Sequence, residues 1–387
     1  FTVSIIKNPL VEPEVVDTKK ISKVNIGKIP IMVGSKYCVL SSQKNRKKGQ
    51  ECLYDYGGYF VINGNEKVCV SQEKIAENKV YVFKTNKVSS KYSHIAEIKS
   101  VNTEGFNTPK NVSVRLTNRD NSFGKTIKVN IPHCKVDLPL SVVFRAFGIT
   151  SDKEIVNNII YNINSDSEFL NWLKPSLEDG SFVSTQDDAI EYILRYSVIL
   201  GQPKDIRIGR DRKIVLFREM IERDVLSHLG KDLKKKAFYL GYMVNKLYNC
   251  YTGRIPFDDR DSYSNKRVET SGNLMAILFR QYFTKLVKDM RNSNMKELNS
   301  NPWKNDMVLS IDSVINSNNL YKILKSTTIE SGLKYGLATG NWGIKSNNTK
   351  VGIAQVLNRL TYTSTLSHLR RVNTPTEKTG KLVAPRK

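Results

Sequence analysis

Apolar and polar residues alternate along the first part of the chain, a pattern typical of strands with one buried face. The alternation over residues 1–30 leads into residues 26–33, where Gly27 and Pro30 predict a strand at a sheet edge. Asn63 and Gly64 separate two β-rich runs, and both accept a positive φ, so they predict a type I′ hairpin. A further strand is predicted over residues 80–83.

The middle of the chain changes from a strand pattern to a helical one. Residues 112–117 and 126–131 are predicted strands joined by a polar turn, and an apolar run follows over residues 139–147. From Asp152 to about Asn249 apolar residues recur at spacings of three and four, which predicts helices. Residues 238–247 are predicted to be a buried helix.

A long helix is predicted from Ser271 to about Met290. Its apolar residues form one stripe at helical spacing, which indicates a core face; they are Met275, Phe279, Tyr282, Leu286 and Met290. A shorter helix is predicted near residues 311–325. Strand-rich and helical segments together predict a mixed α+β, multidomain protein, and 387 residues suffice for two or three domains.

The charge of the chain points to a polyanionic partner. Lys and Arg number 61 against 37 acids, a net charge of +24, which exceeds what solubility requires. Residues 311–387 alone carry 12 Lys and Arg and 3 acids. A second charge run over residues 204–236 is interpreted first as a solvated helix face, with DNA contact as the alternative.

No catalytic motif is visible in the sequence. It has no complete phosphate-binding G-x-x-x-x-G-K-S/T loop, since Gly124-Lys125-Thr126 lacks the first glycine, and no G-x-G-x-x-G after a strand. Asp258, Asp259 and Asp261 could gather Mg²⁺, but the neighbouring Arg260 and the cations at 266 and 267 favour a structural role. His94, His133 and His228 occur singly and are interpreted as packed or solvated histidines.

The cysteines and apolar runs bear on the compartment. Five scattered cysteines without a C-x-x-C pair predict reduced thiols of a cytosolic or nuclear protein and no metal site. No apolar run approaches the roughly 20 residues that span a bilayer, so no membrane contact is expected. The chain starts without Met and ends within a motif-rich region, so we expect a fragment.

Several motifs resemble one protein family. Residues 339–343 (TGNWG), 356–359 (VLNR) and 364–375 (STLSHLRRVNTP) closely resemble the fork region of the second-largest subunit of multi-subunit DNA-directed RNA polymerases of the eukaryotic and archaeal type. Residues 57–64 (GGYFVING), with EKV at 66–68 and SQE at 71–73, resemble its protrusion. Residues 256–267 (PFDDRDSYSNKR) resemble the return from its lobe to the protrusion.

The resemblance implies a domain plan for an N-terminal fragment of that subunit. Residues 1–92 and 255–315 would form a β-rich protrusion with a long helix, residues 93–254 an inserted α/β lobe, and residues 316–387 a truncated fork. High Asn, Ile and Lys usage suggests an AT-rich genome, possible for a large DNA virus. The implied location is the nucleus, or the cytoplasm or virion for a viral enzyme.

The resemblance also implies a function. The chain would form one wall of the DNA cleft and the fork loops beside the active centre of a nucleotidyltransferase, without being catalytic alone. Mg²⁺ would be held mainly by the largest subunit, with no cofactor on this fragment. Implied partners are the largest and smaller polymerase subunits, the DNA template, the RNA–DNA hybrid, and initiation factors on lobe and protrusion.

The resemblance assigns the candidate site residues to two loops and their surroundings. One loop, residues 344–350, would lie beside the hybrid, and the other, residues 376–383, near the point where downstream strands separate. Of Arg370 and Arg371, one is expected to be structural and one near nucleic acid or the catalytic centre. The residues assigned to nucleic acid or nucleotide are Lys345, Lys350, Arg370, Arg371, Lys378, Gly380, Lys381 and Arg386.

Two other functions are compatible with the residues. A stand-alone basic nucleic-acid-binding module would bind DNA tightly and in a salt-sensitive way without partners. An initiation-factor docking module would retain its protein partner even after reversal of the basic residues.

Overall fold

The computed structural model describes residues 2–7, 14–42, 51–85, 90–102, 109–118, 124–162, 166–197, 210–300, 317–344 and 350–374. These residues form two compact units. The discontinuous unit contains the described residues up to Lys74 and those from Arg267 onward, and the central unit contains those from Ile75 to Lys266. Both units mix helices with strands, which confirms the predicted α+β, multidomain class.

The helices and strands of the described residues are as follows. The strands are β1 (Thr2–Lys7), β2 (Glu14–Lys20), β3 (Phe60–Ile62), β4 (Asn65–Cys69), β5 (Ser71–Ile75), β6 (Val80–Lys84), β7 (Tyr92–Ser100), β8 (Lys110–Thr117), β9 (Ile127–Asn130), β10 (Leu138–Pro139), β11 (Lys266–Glu269), β12 (Ala354–Val356) and β13 (Val372–Asn373). The helices are α1 (Leu140–Ala146), α2 (Asp152–Ile159), α3 (Ser167–Glu178), α4 (Gln186–Tyr196), α5 (Arg210–Asp224), α6 (Leu233–Tyr251), α7 (Ser271–Ser300), α8 (Ser317–Ile323), α9 (Thr327–Thr339) and α10 (Tyr362–Leu369).

The central unit is built on a five-stranded sheet in the order β10-β9-β8-β7-β6. Every neighbouring pair is antiparallel. Along β7 every second residue is buried, as the two-residue period of a strand requires. The buried face and the helices share one core, which includes Ile98, Val114, Phe144, Phe169 and Leu240. Burying each large apolar side chain contributes about 1.5–3 kcal/mol.

Side chains cap two of the helices of this unit. The Thr185 hydroxyl accepts the backbone N–H of Asp188 at 3.2 Å at the start of α4. The Asp232 carboxylate accepts the N–H groups of Lys234 and Lys235 at 3.0 and 3.3 Å at the start of α6. Each cap satisfies donors that the first helical turn leaves unpaired, worth about 1 kcal/mol.

In the discontinuous unit, the predicted hairpin is confirmed. β3 and β4 pair antiparallel with Ile62 opposite Asn65, and the turn residues Asn63 and Gly64 have φ values of 50° and 78°. Positive φ at both central positions is the type I′ geometry that matches the twist of the strands. β12 pairs on the other side of β4 and completes a three-stranded sheet.

The long helix α7 packs against α9 in the core of the discontinuous unit. Its buried residues are Leu274, Leu278, Tyr282 and Leu286, spaced by four, and they meet Leu333 and Leu337 of α9. The predicted stripe was right for Tyr282 and Leu286, whereas Met275 and Phe279 are only partly buried. The helix also continues ten residues past the predicted end, since no proline or glycine interrupts it before Ser300.

Two other predictions need correction. Residues 26–33 form no strand: Gly27 adopts φ 154° and Pro30 lacks the N–H that a sheet ladder needs, so the chain runs as irregular backbone. The helix predicted over residues 238–247 is the middle of α6, but it is buried on one side only. Its Phe238 is 52% exposed and Tyr242 is 39% exposed. The start of the helix predicted near residues 311–325 lies outside the described residues.

Candidate nucleic-acid interface

The C-terminal stretch returns to the N-terminal hairpin of the discontinuous unit. β12 pairs antiparallel with β4, with Ala354 opposite Cys69. β13 pairs in parallel with β5, with Val372 opposite Ser71. The segment between these strands, which includes Arg359 and α10, is therefore held at both ends by strands near the start of the chain.

Helix α10 begins with a reciprocal cap. The Thr361 hydroxyl accepts the N–H of Ser364, and the Ser364 hydroxyl accepts the N–H of Thr361, both at 3.0 Å. The Thr365 hydroxyl donates to the carbonyl oxygen of Asn358 at 2.8 Å, which ties the helix to the preceding turn. The sequence therefore fixes the orientation of this short helix through hydroxyl side chains.

His368 anchors the end of α10 and is 4% exposed. Its Nδ1 lies 3.1 Å from the backbone N–H of Asn358 and accepts it, so the ring proton sits on Nε2 and is donated to Gln355 Oε1 at 3.0 Å. Burial, aided by the positive charge of Arg371, lowers the pKa of His368. The neutral ring therefore matches both of its hydrogen-bond partners.

Arg370 and Arg371 follow His368 and are both exposed. Their backbone N–H groups are bonded to the carbonyls of Leu366 and His368 at 3.1 and 3.3 Å. Neither guanidinium forms an ion pair or hydrogen bond with another described residue. The expectation that one of the two is structural therefore stays a prediction. The anchored backbone presents two cations to the solvent.

Arg359, the last residue of the VLNR motif, pairs with carboxylates of the protein itself. Its Nε and Nη2 each donate to the Glu66 carboxylate at 2.8 Å, and its Nη1 lies 3.7 Å from Asp55 Oδ1. The guanidinium carbon lies 5.0 Å from the centroid of the Tyr59 ring. The hydrogen bonds with Glu66 are the main reason that the pKa of Arg359 is raised. Its charge is therefore balanced by neighbouring carboxylates.

Lys350 is exposed and closes one end of the predicted first fork loop. Its backbone exchanges hydrogen bonds with Trp342 at 2.7 and 3.3 Å. Its ammonium lies 3.4 Å from the buried Glu269 carboxylate, which also pairs with Lys74 at 3.2 Å. Lys345, Lys378, Gly380, Lys381 and Arg386 lie outside the described residues, so their placement stays a prediction.

In the central unit, Asp258, one of the three aspartates that could have suggested a metal site, has structural partners. Asp258 Oδ2 accepts the Lys246 ammonium at 2.7 Å and the backbone N–H of Val82 at 2.9 Å. Arg260 lies 4.1 Å from the Phe83 ring centroid. Among the residues that the structure describes, no group of three or more His, Cys, Asp or Glu side chains could hold a metal ion.

The single histidines of the central unit are packed or paired. His94 is stacked on Phe257, His133 lies 2.8 Å from the Asp224 carboxylate, and Nδ1 of His228 lies 2.8 Å from the Ser100 hydroxyl. All five cysteines are free thiols. No helix in the described part of the chain is long and apolar enough to cross a membrane.

Lys236 is a residue that the sequence interpretation missed. It stands in a charge run predicted to be solvated, yet it is completely buried. Its ammonium donates to the carbonyl oxygens of Ile221 and Glu222 at 2.9 and 2.6 Å, in the last turn of α5. In the sequence, an inward orientation of Lys236 was indicated only by its apolar neighbours: Ala237 follows it directly, and Leu240 lies one helical turn further along α6.

Two family models match the chain and cover the motifs at residues 256–267 and 356–375. The family model described as RNA polymerase Rpb2, domain 2 matches residues 76–269, half of the chain, and that of domain 3 matches residues 355–387. The chain belongs to the RNA polymerase Rpb2 family, the second-largest subunit.

Relatives in plants, fungi and archaea cover nearly the whole chain. DNA-directed RNA polymerase II subunit 2 of Arabidopsis thaliana is 39% identical over 96% of this chain and 30% of its own length. DNA-directed RNA polymerase II subunit RPB2 of Encephalitozoon cuniculi is 41% identical over 99% of this chain and 32% of its own length. DNA-directed RNA polymerase subunit Rpo2 of Saccharolobus solfataricus is 35% identical, over 90% and 28% respectively.

The chain thus spans about three tenths of the length of the curated relatives it matches. These relatives come from cellular organisms, so the expectation of a viral origin is not supported.

Proposed function

We propose that this chain works as part of a DNA-directed RNA polymerase, where it lines the DNA cleft and lies beside the active centre during template-directed RNA synthesis. The observation that carries the proposal is the pair of exposed guanidiniums of Arg370 and Arg371 at the end of α10, which no described carboxylate neutralises, in a chain of the Rpb2 family. Exposed arginines on an anchored backbone suit sequence-independent contacts with phosphates.

The net charge of the chain supports a polyanionic partner. A surplus of 24 positive charges favours association with nucleic acid through counterion release. The positive charges of Arg359 and Lys350 are partly balanced locally, because each side chain faces a carboxylate. Arg370 and Arg371 are therefore the described candidates for direct contact, with Lys350 as a weaker one.

The domain names and partners are part of the same proposal. Residues 1–92 and 255–315 would be the protrusion, residues 93–254 the lobe, and residues 316–387 the fork. The partners would be the largest subunit, which would hold the Mg²⁺ of the reaction, the smaller subunits, the DNA template, the RNA–DNA hybrid and initiation factors. The eukaryotic relatives, named as RNA polymerase II subunits, support a nuclear location.

The experiment compares RNA extension on a pre-formed RNA–DNA scaffold by the full-length subunit assembled with its partners. Arg370→Ala and Arg371→Ala are each expected to lower the extension rate and the salt concentration at which the complex dissociates. Arg291→Ala is the matched control, because Arg291 is an exposed arginine on α7 and not in the fork motif. Unchanged extension in both fork variants, with normal assembly, would refute the role of these arginines.

The residues outside the described part are tested in the same assay. Arg386→Ala is expected to slow nucleotide addition on the open scaffold, because this arginine is proposed to lie close to the incoming nucleotide. A Lys378/Lys381 double alanine is expected to impair advance into downstream duplex more than addition on the open scaffold. If the isolated chain binds DNA as tightly as the assembly and no variant affects synthesis, the stand-alone binding module becomes the better assignment.

A further inference from the structure

One face of the discontinuous unit differs chemically from the rest of this basic chain. A cavity of about 280 Å³ lies between the hairpin, the segment before it and α10. Its lining combines tyrosine rings with carboxylates and a single cation.

The tyrosines around this cavity are unusually exposed for aromatic side chains. Tyr54 is 80% exposed, Tyr56 is 69% exposed and Tyr362 is 56% exposed. The rings of Tyr56 and Tyr362 lie 6.3 Å apart at 42°, and the Tyr362 hydroxyl donates to the carbonyl oxygen of Tyr54 at 3.4 Å. Large aromatic rings held in place at a surface are typical of the buried anchors of protein interfaces.

The carboxylates make the cavity selective for a cation. Glu51 is exposed and forms no ion pair with another described residue. Asp55 and Glu66 face the same cavity, and among its described lining residues Arg359 is the only cation. The described lining therefore holds more carboxylates than cations, unlike the chain as a whole, whose net charge is +24.

The protein itself shows which group such a pocket accepts. The Arg359 guanidinium lies over the Tyr59 ring and is fixed by Glu66, and all three residues line the cavity. Tyrosine faces and carboxylates together bind guanidinium and ammonium groups through cation–π attraction and charge-assisted hydrogen bonds. Other lining residues offer the same two chemistries, with Tyr56 and Tyr362 as aromatic rings and Glu51 as the carboxylate.

We propose that this cavity is a docking site for an arginine or lysine side chain on an extended segment of a partner protein. Its volume is below the roughly 300–1,000 Å³ of pockets for drug-sized ligands, which suits one long side chain. Leu360, 87% exposed and next to Arg359 in the chain, offers an apolar surface for residues flanking that side chain. The surplus carboxylates disfavour a nucleic-acid phosphate at this place.

Fluorescence anisotropy of labelled peptides with the full chain tests the proposal. The probe is the peptide Gly-Leu-Arg-Leu-Gly, and its control carries citrulline, a neutral side chain of nearly the same shape, in place of arginine. The arginine peptide is expected to bind more tightly than the citrulline peptide. Tyr56→Leu, Tyr362→Leu and Glu51→Gln should each weaken its binding about two- to five-fold, as expected for cation–π and exposed charge contacts.

Tyr321→Leu is the matched control, because Tyr321 is 67% exposed on the same unit but does not line the cavity. All substituted residues are exposed, so the fold is expected to persist. Equal binding of the arginine and citrulline peptides, or unchanged binding in both tyrosine variants, would overturn the proposal. A loss of single-stranded DNA binding in those variants, with peptide binding intact, would instead assign the cavity to nucleic acid.

Discussion

Arg359 and Glu66 are 293 residues apart in the chain, yet the guanidinium donates two parallel hydrogen bonds of 2.8 Å to the carboxylate. The pair joins the turn after β12 to the β3–β4 hairpin. The forked geometry requires arginine, because a lysine ammonium is a point donor without two parallel N–H groups. The fork motif residue Arg359 therefore stabilises the contact between the two ends of the discontinuous unit.

We predict a small but measurable coupling between these two side chains. Both are partly exposed, at 41% and 35%, so solvent screening reduces the coupling to about 0.5–1 kcal/mol. A double-mutant cycle with Arg359→Met and Glu66→Gln, measured by urea unfolding, should give this value, and Arg359→Lys should retain only a small part of the coupling. Strictly additive effects of the two substitutions would mean that the pair contributes nothing to stability.

The C-terminal end of α9 gives a second prediction. Gly340 has φ 76°, and a Cβ there would lie 2.6 Å from the carbonyl oxygen of Ala354. Gly340→Ala should therefore destabilise the discontinuous unit by at least about 2 kcal/mol, because left-handed strain and a backbone clash add together. The measurement is the free energy of unfolding in urea.

Gly64→Ala is its matched control. Gly64 has nearly the same φ, 78°, but no atom lies within 4 Å of the added Cβ. Its cost should be about 1 kcal/mol, from backbone strain alone. Equal losses for the two variants would show that the contact with Ala354 does not constrain the end of α9.

The pH dependence of stability tests the environment of His368. Because its pKa is lowered on folding, the unfolded state binds protons more readily, and the free energy of unfolding should decrease as the pH falls below about 6.5. His368→Asn keeps an oxygen acceptor for the Asn358 N–H and removes the titrating ring. The variant should lose less stability than the wild type between pH 7.5 and 5.5. Some loss should remain in the variant, because the pKa values of His94 and His228 are also lowered.

An identical loss of stability in the wild type and the His368→Asn variant would contradict the assignment. It would mean that protonation of His368 does not disturb its contacts with Asn358 and Gln355. Chemical unfolding at each pH, followed by a probe in the discontinuous unit, separates this effect from the histidines of the central unit.

Features that depend on neighbouring residues could be predicted from the sequence, whereas features that depend on contacts between distant segments could not. The Asn63–Gly64 turn is local, and it was predicted correctly from two residues. The prediction of a strand over residues 26–33 was wrong. No local signal distinguishes a segment with Gly and Pro that pairs in a sheet from one that stays unpaired. The partnership of Arg359 with Glu66 and the burial of Lys236 depend on tertiary contacts that no periodicity encodes.

The site itself was predictable only in part. The fork motif led to the exposed Arg370 and Arg371, while the tyrosine-lined cavity escaped notice because its residues come from segments about 300 positions apart. Lys378, Gly380, Lys381 and Arg386 were assigned by resemblance alone, and their roles stay predictions.

Lys236 is the last residue for which a pH dependence is predicted, and like His368 it is a cationic group when protonated. Burial lowers the pKa of its ammonium to about 8, while the unfolded lysine titrates near 10.4. Between these values the unfolded state binds more protons, so this residue should raise the free energy of unfolding of the central unit with pH, by up to about 1.4 kcal/mol per pH unit. Cys134 acts in the opposite direction, because burial raises its pKa to about 11.

The informative quantity is therefore the difference between the wild type and Lys236→Met, measured by urea unfolding at pH 7.5, 8.5 and 9.5. Both proteins share the cysteine contribution, so the difference isolates the lysine. The stability of the wild type should rise relative to that of Lys236→Met across this range. A difference that does not change with pH would mean that the Lys236 ammonium keeps its charge, held by the carbonyl oxygens of Ile221 and Glu222 strongly enough to offset its burial.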